Sequence, residues 1–316
     1  AVWIMALAAR EVFFTGLLKE TSASALKIIS GSEGLGLAMQ KDVLPGEEIH
    51  RSKALKVHQH TLECQRVEAI CKASSEPCFL PHSCYCAALA SLFECINSDS
   101  ELGDALLSLC RPDHLARRAP GMAMNDSSGT LYDVTALKIL QDFDLAEDLL
   151  PLYSDLAQVW KYNAFETGDG RMAIFLLLSL CNHSCIPAAD YTMCREDDGT
   201  VEIILSSLHS LAAGDAITIC YIEDNEEHKN SRVLRRNTLA EGWLFYCLCD
   251  KCGGENPVIR CESCAEEMQV WISNVHGGPY EDSGEAPTCD FCGEEDLVVS
   301  GPYFFHCAFC EMDLCE

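Results

Sequence analysis

Asn182-His183-Ser184-Cys185 and, further along, Cys247-Leu248-Cys249-Asp250-Lys251-Cys252 are the two stretches whose reading decides the fold. Cys185 with Cys247, Cys249 and Cys252 makes a C…C-x-C-x2-C set. Four thiolates of that kind suit the soft, closed, tetrahedral sphere of a structural Zn2+. If they share one ion, it ties the tail of the chain to its middle. A segment held in that way can wall a pocket that packing alone would not let it reach.

Working outward, 316 residues fit about two domains, and 48% hydrophobic with 22% charged residues is an ordinary globular composition. No uninterrupted apolar run reaches the roughly 18 residues of a membrane span, so no membrane association is expected. The nearest, Ala1 to Leu18, is broken by Arg10 and Glu11 and lacks the flanks of a signal peptide. It reads as an amphipathic packing helix. Starting at Ala and not Met, the chain reads as a piece of a longer protein. The net charge of −27 argues against direct nucleic-acid binding. It fits a basic partner such as a lysine-rich peptide, or equally an acidic surface that only solvates the fold. Oligomeric state is not legible.

The chain has 21 cysteines. Cys261-x2-Cys264, Cys289-x2-Cys292 and Cys307-x2-Cys310 have metal-knuckle spacing, which favours zinc over disulfides and a reducing compartment, cytosol or nucleus. Between Ser24 and Val57 short strands alternate with turns: Leu26-Lys-Ile-Ile-Ser, Gly34-Leu35-Gly36-Leu-Ala-Met, a Pro45-Gly46 turn and Glu48-Ile-His. Glycines at 31, 34 and 36 let the backbone turn and come close to a ligand. From Cys86 to Trp160 the period is helical, with Leu89, Leu92, Phe93 and Ile96 and then Leu149, Leu152, Tyr153, Leu156 and Trp160 as core stripes. Met172 to Cys181 reads as a buried helix. Strands return at Val201–Leu205 and Ala216–Tyr221 around a Gly214-Asp215 turn, and Asp224 to Trp243 is polar and helical. From Cys247 onward apolar periodicity is too poor to fold the chain without metal.

Gly34-Leu-Gly36, Asn182-His-Ser-Cys185, Gly214-Asp-Ala-Ile-Thr-Ile-Cys-Tyr221 and Cys247-x-Cys249-x2-Cys252 stand in the order found in SET-domain protein methyltransferases with a post-SET zinc site. Tyr162-Asn-Ala-Phe165, Leu178 through Pro187, Ile217 through Ile222 and the arginine-bearing helix before Phe245-Tyr-Cys247 are similar to the SET-and-MYND (SMYD) branch. Taken singly, each motif reads as a turn, a helix cap or a core aromatic; four in order carry the resemblance. It implies an α+β, β-rich SET fold with S-adenosylmethionine as methyl donor and a lysine of a protein substrate as acceptor. By position, Gly34, Leu35 and Gly36 would run along the cofactor. Asn182 and His183 would hold it by hydrogen bonds with Ser179 nearby, and Phe245 would stack on its adenine. Tyr221 and Phe165 would line the lysine channel, Tyr221 also reaching the cofactor.

The implied organisation is an N-terminal helical segment (1–23), a first SET part (24–57) and a mostly helical insertion (58–165). A second SET part (166–225), a post-SET segment with its zinc (226–254) and a cysteine-rich, zinc-ribbon-like region (255–316) follow. Three departures stand out. Ala188 replaces the usual Asn after the Cys185-Ile-Pro stretch. No MYND finger is legible around His60-x3-Cys64, and Cys78, Cys84 and Cys86 with His82 read as buried thiols ahead of a metal site. The tail offers three knuckles. Cys261/Cys264 with Cys289/Cys292 is the preferred zinc pairing because those pairs are consecutive. Cys289/Cys292 with Cys307/Cys310 is nearly as good, and His276, His306 or Cys315 are candidates to complete another site. The reading is thus a lysine methyltransferase with structural zinc. Its alternative is a catalytically silent SET and zinc scaffold that binds partner proteins.

Overall fold

The computed structural model describes residues 7–20, 25–31, 34–73, 78, 80–97, 100–109, 123–125, 131–222, 225, 228–229, 232–243, 245, 247–252, 264, 269–272, 288–290, 303–307, 310 and 312–314. The chain divides into two compact units, Ala1–Pro112 with Asp126–Cys220, and Asp113–Asn125 with Tyr221–Glu316.

The first unit begins with α1 (Leu7–Glu20), which buries Phe14 and Leu18 while Val12 stays exposed. β1 (Leu26–Gly31) and β2 (Gly34–Met39) then form an antiparallel hairpin, in register from Leu26 opposite Met39 to Gly31 opposite Gly34. β3 (Glu48–Lys53) and β4 (Lys56–His58) follow. Helices α2 (Leu62–Ala73), α3 (His82–Asn97) and α4 (Ser100–Leu107) come next. β5 (Ala123–Asn125) falls in the second unit; β6 (Leu131–Asp133), α5 (Val134–Asp142) and α6 (Leu150–Asn163) return to the first. The unit closes with β7 (Ala164–Glu166), β8 (Met172–Ile174), β9 (Asn182–His183), β10 (Ala189–Arg195), β11 (Val201–Ser207) and β12 (Ala216–Ile219). Its sheets run β1-β2-β12-β9, β10-β11-β3 and β4-β8-β7.

β11 shows why these segments are strands. Val201, Ile203, Leu205 and Ser207 are buried and the residues between them are half-buried, the period of two that one packed face demands. Gly214, at φ +106°, makes the turn into β12 in a backbone region where a side chain would be strained.

The helical stripes meet where α3 packs on α6. Tyr85, Leu89, Leu92, Tyr153, Leu156 and Trp160 are buried, whereas Ile96 lies beyond the contact and is exposed. The polar tips inside this core are paired. The Tyr85 hydroxyl donates to Asp133 Oδ2 at 2.8 Å, the Tyr153 hydroxyl to the Tyr85 carbonyl at 2.9 Å, and Trp160 Nε1 to Ser91 Oγ at 3.0 Å. Asp133 also caps α5 by accepting from the Ala136 amide at 3.1 Å. His58 rests edge-on to Trp160 with ring centroids 6.0 Å apart, and burial pushes its pKa down to about 4. Trp160→Ala removes the largest fully buried side chain among the described residues together with the partner of Ser91. Its unfolding free energy should fall by about 3–5 kcal/mol in chemical denaturation. A loss below about 1 kcal/mol would show that the α3–α6 contact is not central.

Two segments differ from the sequence reading. Met172 to Cys181 is not a helix: Met172–Ile174 is a strand between β4 and β7, and only Leu178–Leu180 makes a short 3-10 turn. A short, wholly apolar run has no polar face to reveal its period, so strand and helix look alike in it. β10 is not assigned from sequence, although Ala189, Tyr191 and Met193 alternate with the exposed Asp190 and Thr192; the strand pairs with β11 along its full length.

In the second unit α7 (Arg232–Trp243) precedes a 3-10 turn at Asp250–Cys252. The tail, where periodicity gave no element, carries the antiparallel sheet β13 (Gln269–Ile272), β14 (Tyr303–Cys307) and β15 (Met312–Leu314), in that order.

Candidate functional site

Within the first unit, β12 joins the two candidate cofactor-binding stretches. It pairs antiparallel with β2 through Ala216–Ala38 and Ile217–Leu37, then parallel with β9 through Thr218–Asn182 and Ile219–His183. Beyond the Ile217–Leu37 pair the Asn182 side chain settles against Gly36. A Cβ built on Gly36 would lie 2.9 Å from Asn182 Nδ2. A side chain there would have to displace the tip of the Asn182 amide, so glycine leaves that amide its place. Gly34 stands at the hairpin end opposite Gly31, and Leu35 is buried beside it. Gly36→Ala should push the Asn182 amide from its place while leaving the hairpin register intact. Cofactor affinity should drop about tenfold or more with little change in melting temperature. Equal affinity would show that this amide does not contact the ligand.

His183 and Cys185 are neighbours in space as well as in sequence, with His183 Nε2 3.2 Å from Cys185 Sγ. The turn between them is fixed by the Ser184 amide donating to the Ile219 carbonyl at 3.0 Å and by the Ile186 amide donating to Ser184 Oγ at 3.1 Å. Ser179 Oγ donates to the Asn163 carbonyl at 3.2 Å, so it fixes the junction of α6 with β7. That junction places Phe165, whose ring lies edge-on to Phe175 at 6.2 Å and to Tyr191 at 5.3 Å. Tyr191, on the strand missed in sequence, is the aromatic nearest Phe165 in this group. Burial, then Asp190 and Cys220, push its hydroxyl pKa up, so it remains a neutral donor. The Ala188 amide, at the position lacking Asn, donates to Thr218 Oγ1 at 3.1 Å, so the loop is anchored through its backbone.

The second unit holds the other aromatics. Tyr221 is half-buried, 5.6 Å from the Trp243 ring at a 39° tilt and 6.3 Å from Phe245, which meets it edge-on at 88°. Two residues past Phe245 the knuckle begins. The sulfurs of Cys247, Cys249 and Cys252 lie within 4.8 Å of one another, compatible with the roughly 3.8 Å edges of a tetrahedron of about 2.3 Å zinc–sulfur bonds. α7 holds the knuckle's backbone through two buried arginines. Arg235 Nη2 donates to the Lys251 carbonyl at 3.0 Å, and Arg236 Nη2 to the Cys252 carbonyl at 2.7 Å.

Other thiols behave differently. Burial pushes Cys84 up to about 11 and Cys181 up to about 12, so both stay protonated as core thiols. Among the described residues, Cys78, Cys84, Cys86 and His82 form no ligand cluster. In the tail, among the described residues, Cys264 groups with Cys307 and Cys310. The pairing preferred from consecutive order needs Cys261 and Cys292, which lie outside the described residues.

No family model matches the chain. It is 33% identical over 120 residues to protein-lysine N-trimethyltransferase SMYD5 of Gallus gallus, covering 38% of this chain and 27% of that protein. To the same protein of Danio rerio it is 33% identical over 133 residues, covering 40% and 30%. A SET and MYND domain-containing protein of Dictyostelium discoideum is 34% identical over 87 residues, covering 27% and 15%. The matches span less than a third of the length of these curated relatives. Among solved structures, the SET domain of LSMT bound to lysine and AdoHcy is similar at TM-score 0.49 and 14% identity, covering 88% of this chain and 63% of that one.

Proposed function

We propose, starting from a SET-domain, SMYD-like protein, that this chain transfers a methyl group from S-adenosylmethionine to a lysine side chain of a protein substrate. The observation that carries the reading is the seat of Asn182 against Gly36, a side-chain amide held where the strand backbone is bare. Two SMYD5 relatives named as protein-lysine N-trimethyltransferases supply the class of acceptor.

When bound, S-adenosylmethionine supplies an electrophilic methyl on a sulfonium. The chain's own part is position and protonation. Gly36 and Asn182 offer backbone and amide for the donor's polar groups, while the buried Leu35 excludes water from that side. Phe245, braced edge-on by Tyr221, offers a face for an aromatic base. Phe165 with Tyr191 in the first unit, and separately Tyr221 with Trp243 in the second, are aromatic pairs of the kind that hold a cationic head while stripping it of water. Desolvation lowers the pKa of a lysine ammonium, which must give up its proton before it can attack. Lining the reacting atoms up accounts for much of the rate gain. Cys185 with Cys247, Cys249 and Cys252 holds a structural Zn2+ in this reading. The three clustered sulfurs support it, as does the buried Cys185 thiol next to His183.

Calorimetry with S-adenosylhomocysteine should show one site per chain, and mass spectrometry should find methylated lysines after incubation with candidate basic proteins. Absence of both binding heat and thermal shift would leave the silent scaffold as the better account.

A further inference from the structure

The tail brings its cysteines together out of sequence order, and the sheet explains why. β13 runs antiparallel to β14 with Gln269 opposite His306, so the start of β13 lies beside the end of β14, and Cys264 stands five residues earlier in sequence. Cys307 is the last residue of that strand, and Cys310 lies in the turn to β15. The sulfurs of Cys264, Cys307 and Cys310 accordingly lie within 4.8 Å of one another, with Cys264 and Cys307 3.6 Å apart.

The hairpin that presents two of these thiols is braced from within. His306 Nδ1 lies 3.0 Å from Asp313 Oδ1 across the β14–β15 pair, and both side chains are buried. Asp313 is tied onward to the second knuckle. Its amide donates to Asp290 Oδ2 at 2.7 Å, and the Asp290 amide donates to the Asp313 carbonyl at 2.9 Å. Cys289, next to Asp290, is therefore fastened along β15, while Cys264 comes in from β13.

We propose that Cys264, Cys307 and Cys310 bind one structural Zn2+, so that the first and third knuckles share an ion and enclose the second between them in sequence. Thiolates are soft ligands with a strong preference for zinc, and a hairpin that already holds two of them favours a closed site. The C-x2-C spacing makes Cys261 the sequence candidate for the fourth donor. The proposal does not depend on the methyl-transfer reading.

The test is zinc content of the purified full chain by atomic emission. Cys264→Ser and Cys310→Ser should each lose one zinc, and the double variant should also lose only one, since both residues serve the same ion. A double variant that loses two, or a single variant that loses none, overturns the shared site. A second measurement needs no substitution. Cys264 and Cys310 are exposed, so as free thiols they would alkylate quickly. In the zinc-loaded chain both should resist iodoacetamide, then become labelled together when a chelator removes the metal. Rapid labelling of both at unchanged zinc content overturns the proposal.

Discussion

Cys247→Ser is expected to lose one zinc and, with it, cofactor binding, weakening S-adenosylhomocysteine affinity by about 100-fold or more. The ion's worth to the fold is large, since apparent binding free energies of structural zinc are on the order of 10 kcal/mol. The loss reaches the ligand through a short path. Cys247 lies two residues past Phe245, whose ring is held edge-on against Tyr221. Arg235 and Arg236 grip the far side of the knuckle at Lys251 and Cys252. With the thiolates released, the loop keeps its arginine contacts but loses the metal cross-link, and the segment before Cys247 can swing Phe245 off Tyr221. Titrating wild-type protein with a chelator provides the arm that needs no folding of the variant. Zinc release and loss of binding should run in parallel, and added Zn2+ should restore both. Full affinity in zinc-free protein would separate the metal from cofactor binding.

Tyr221→Phe should act on rate and spare binding. Phenylalanine keeps the ring that packs on Trp243 and Phe245, so the aromatic wall and the fold should survive. What disappears is a hydroxyl that can point at developing charge during transfer. Removing one such preorganised donor costs about 10²–10³ in kcat, or about 3–4 kcal/mol of barrier. The expected pattern is therefore a kcat lowered by at least about 100-fold, with cofactor affinity within about threefold of wild type. A variant with unchanged kcat excludes Tyr221 from the chemistry; one that also fails to bind cofactor gives it a packing role instead.

The parts of this fold that were legible in sequence are those where one local rule dominates. The β1–β2 hairpin announces itself through glycines at 31, 34 and 36, and α3 and α6 through buried residues recurring at helical spacing. β10 carries only a short alternation, Ala189, Tyr191 and Met193 against Asp190 and Thr192, and what makes it a strand is its full-length pairing with β11, a non-local property. With it went Tyr191, since only the strand brings that ring to Phe165. The tail shows the same limit. Its C-x2-C pairs are plain, but which pair meets which depends on sheet order, and the register of Gln269 opposite His306 cannot be read from spacing. His183 is a subtler case. Its place beside Asn182 is legible in sequence, but its ring contact with Cys185 Sγ becomes visible only in coordinates.

The place of β12 between β2 and β9 has a consequence for synthesis on the ribosome. The hairpin made by residues 26–39 is translated early, yet its neighbour in the finished sheet is residues 216–219. At elongation rates of about 5–20 residues per second, the interval is on the order of ten seconds or more. Throughout it, β2 has an open edge carrying Leu35 and Leu37, which the completed protein buries. The nascent chain is then a natural client for chaperones that shield apolar strand edges. A stop codon or ribosome stall before Ile219 would yield a product whose first sheet can never close.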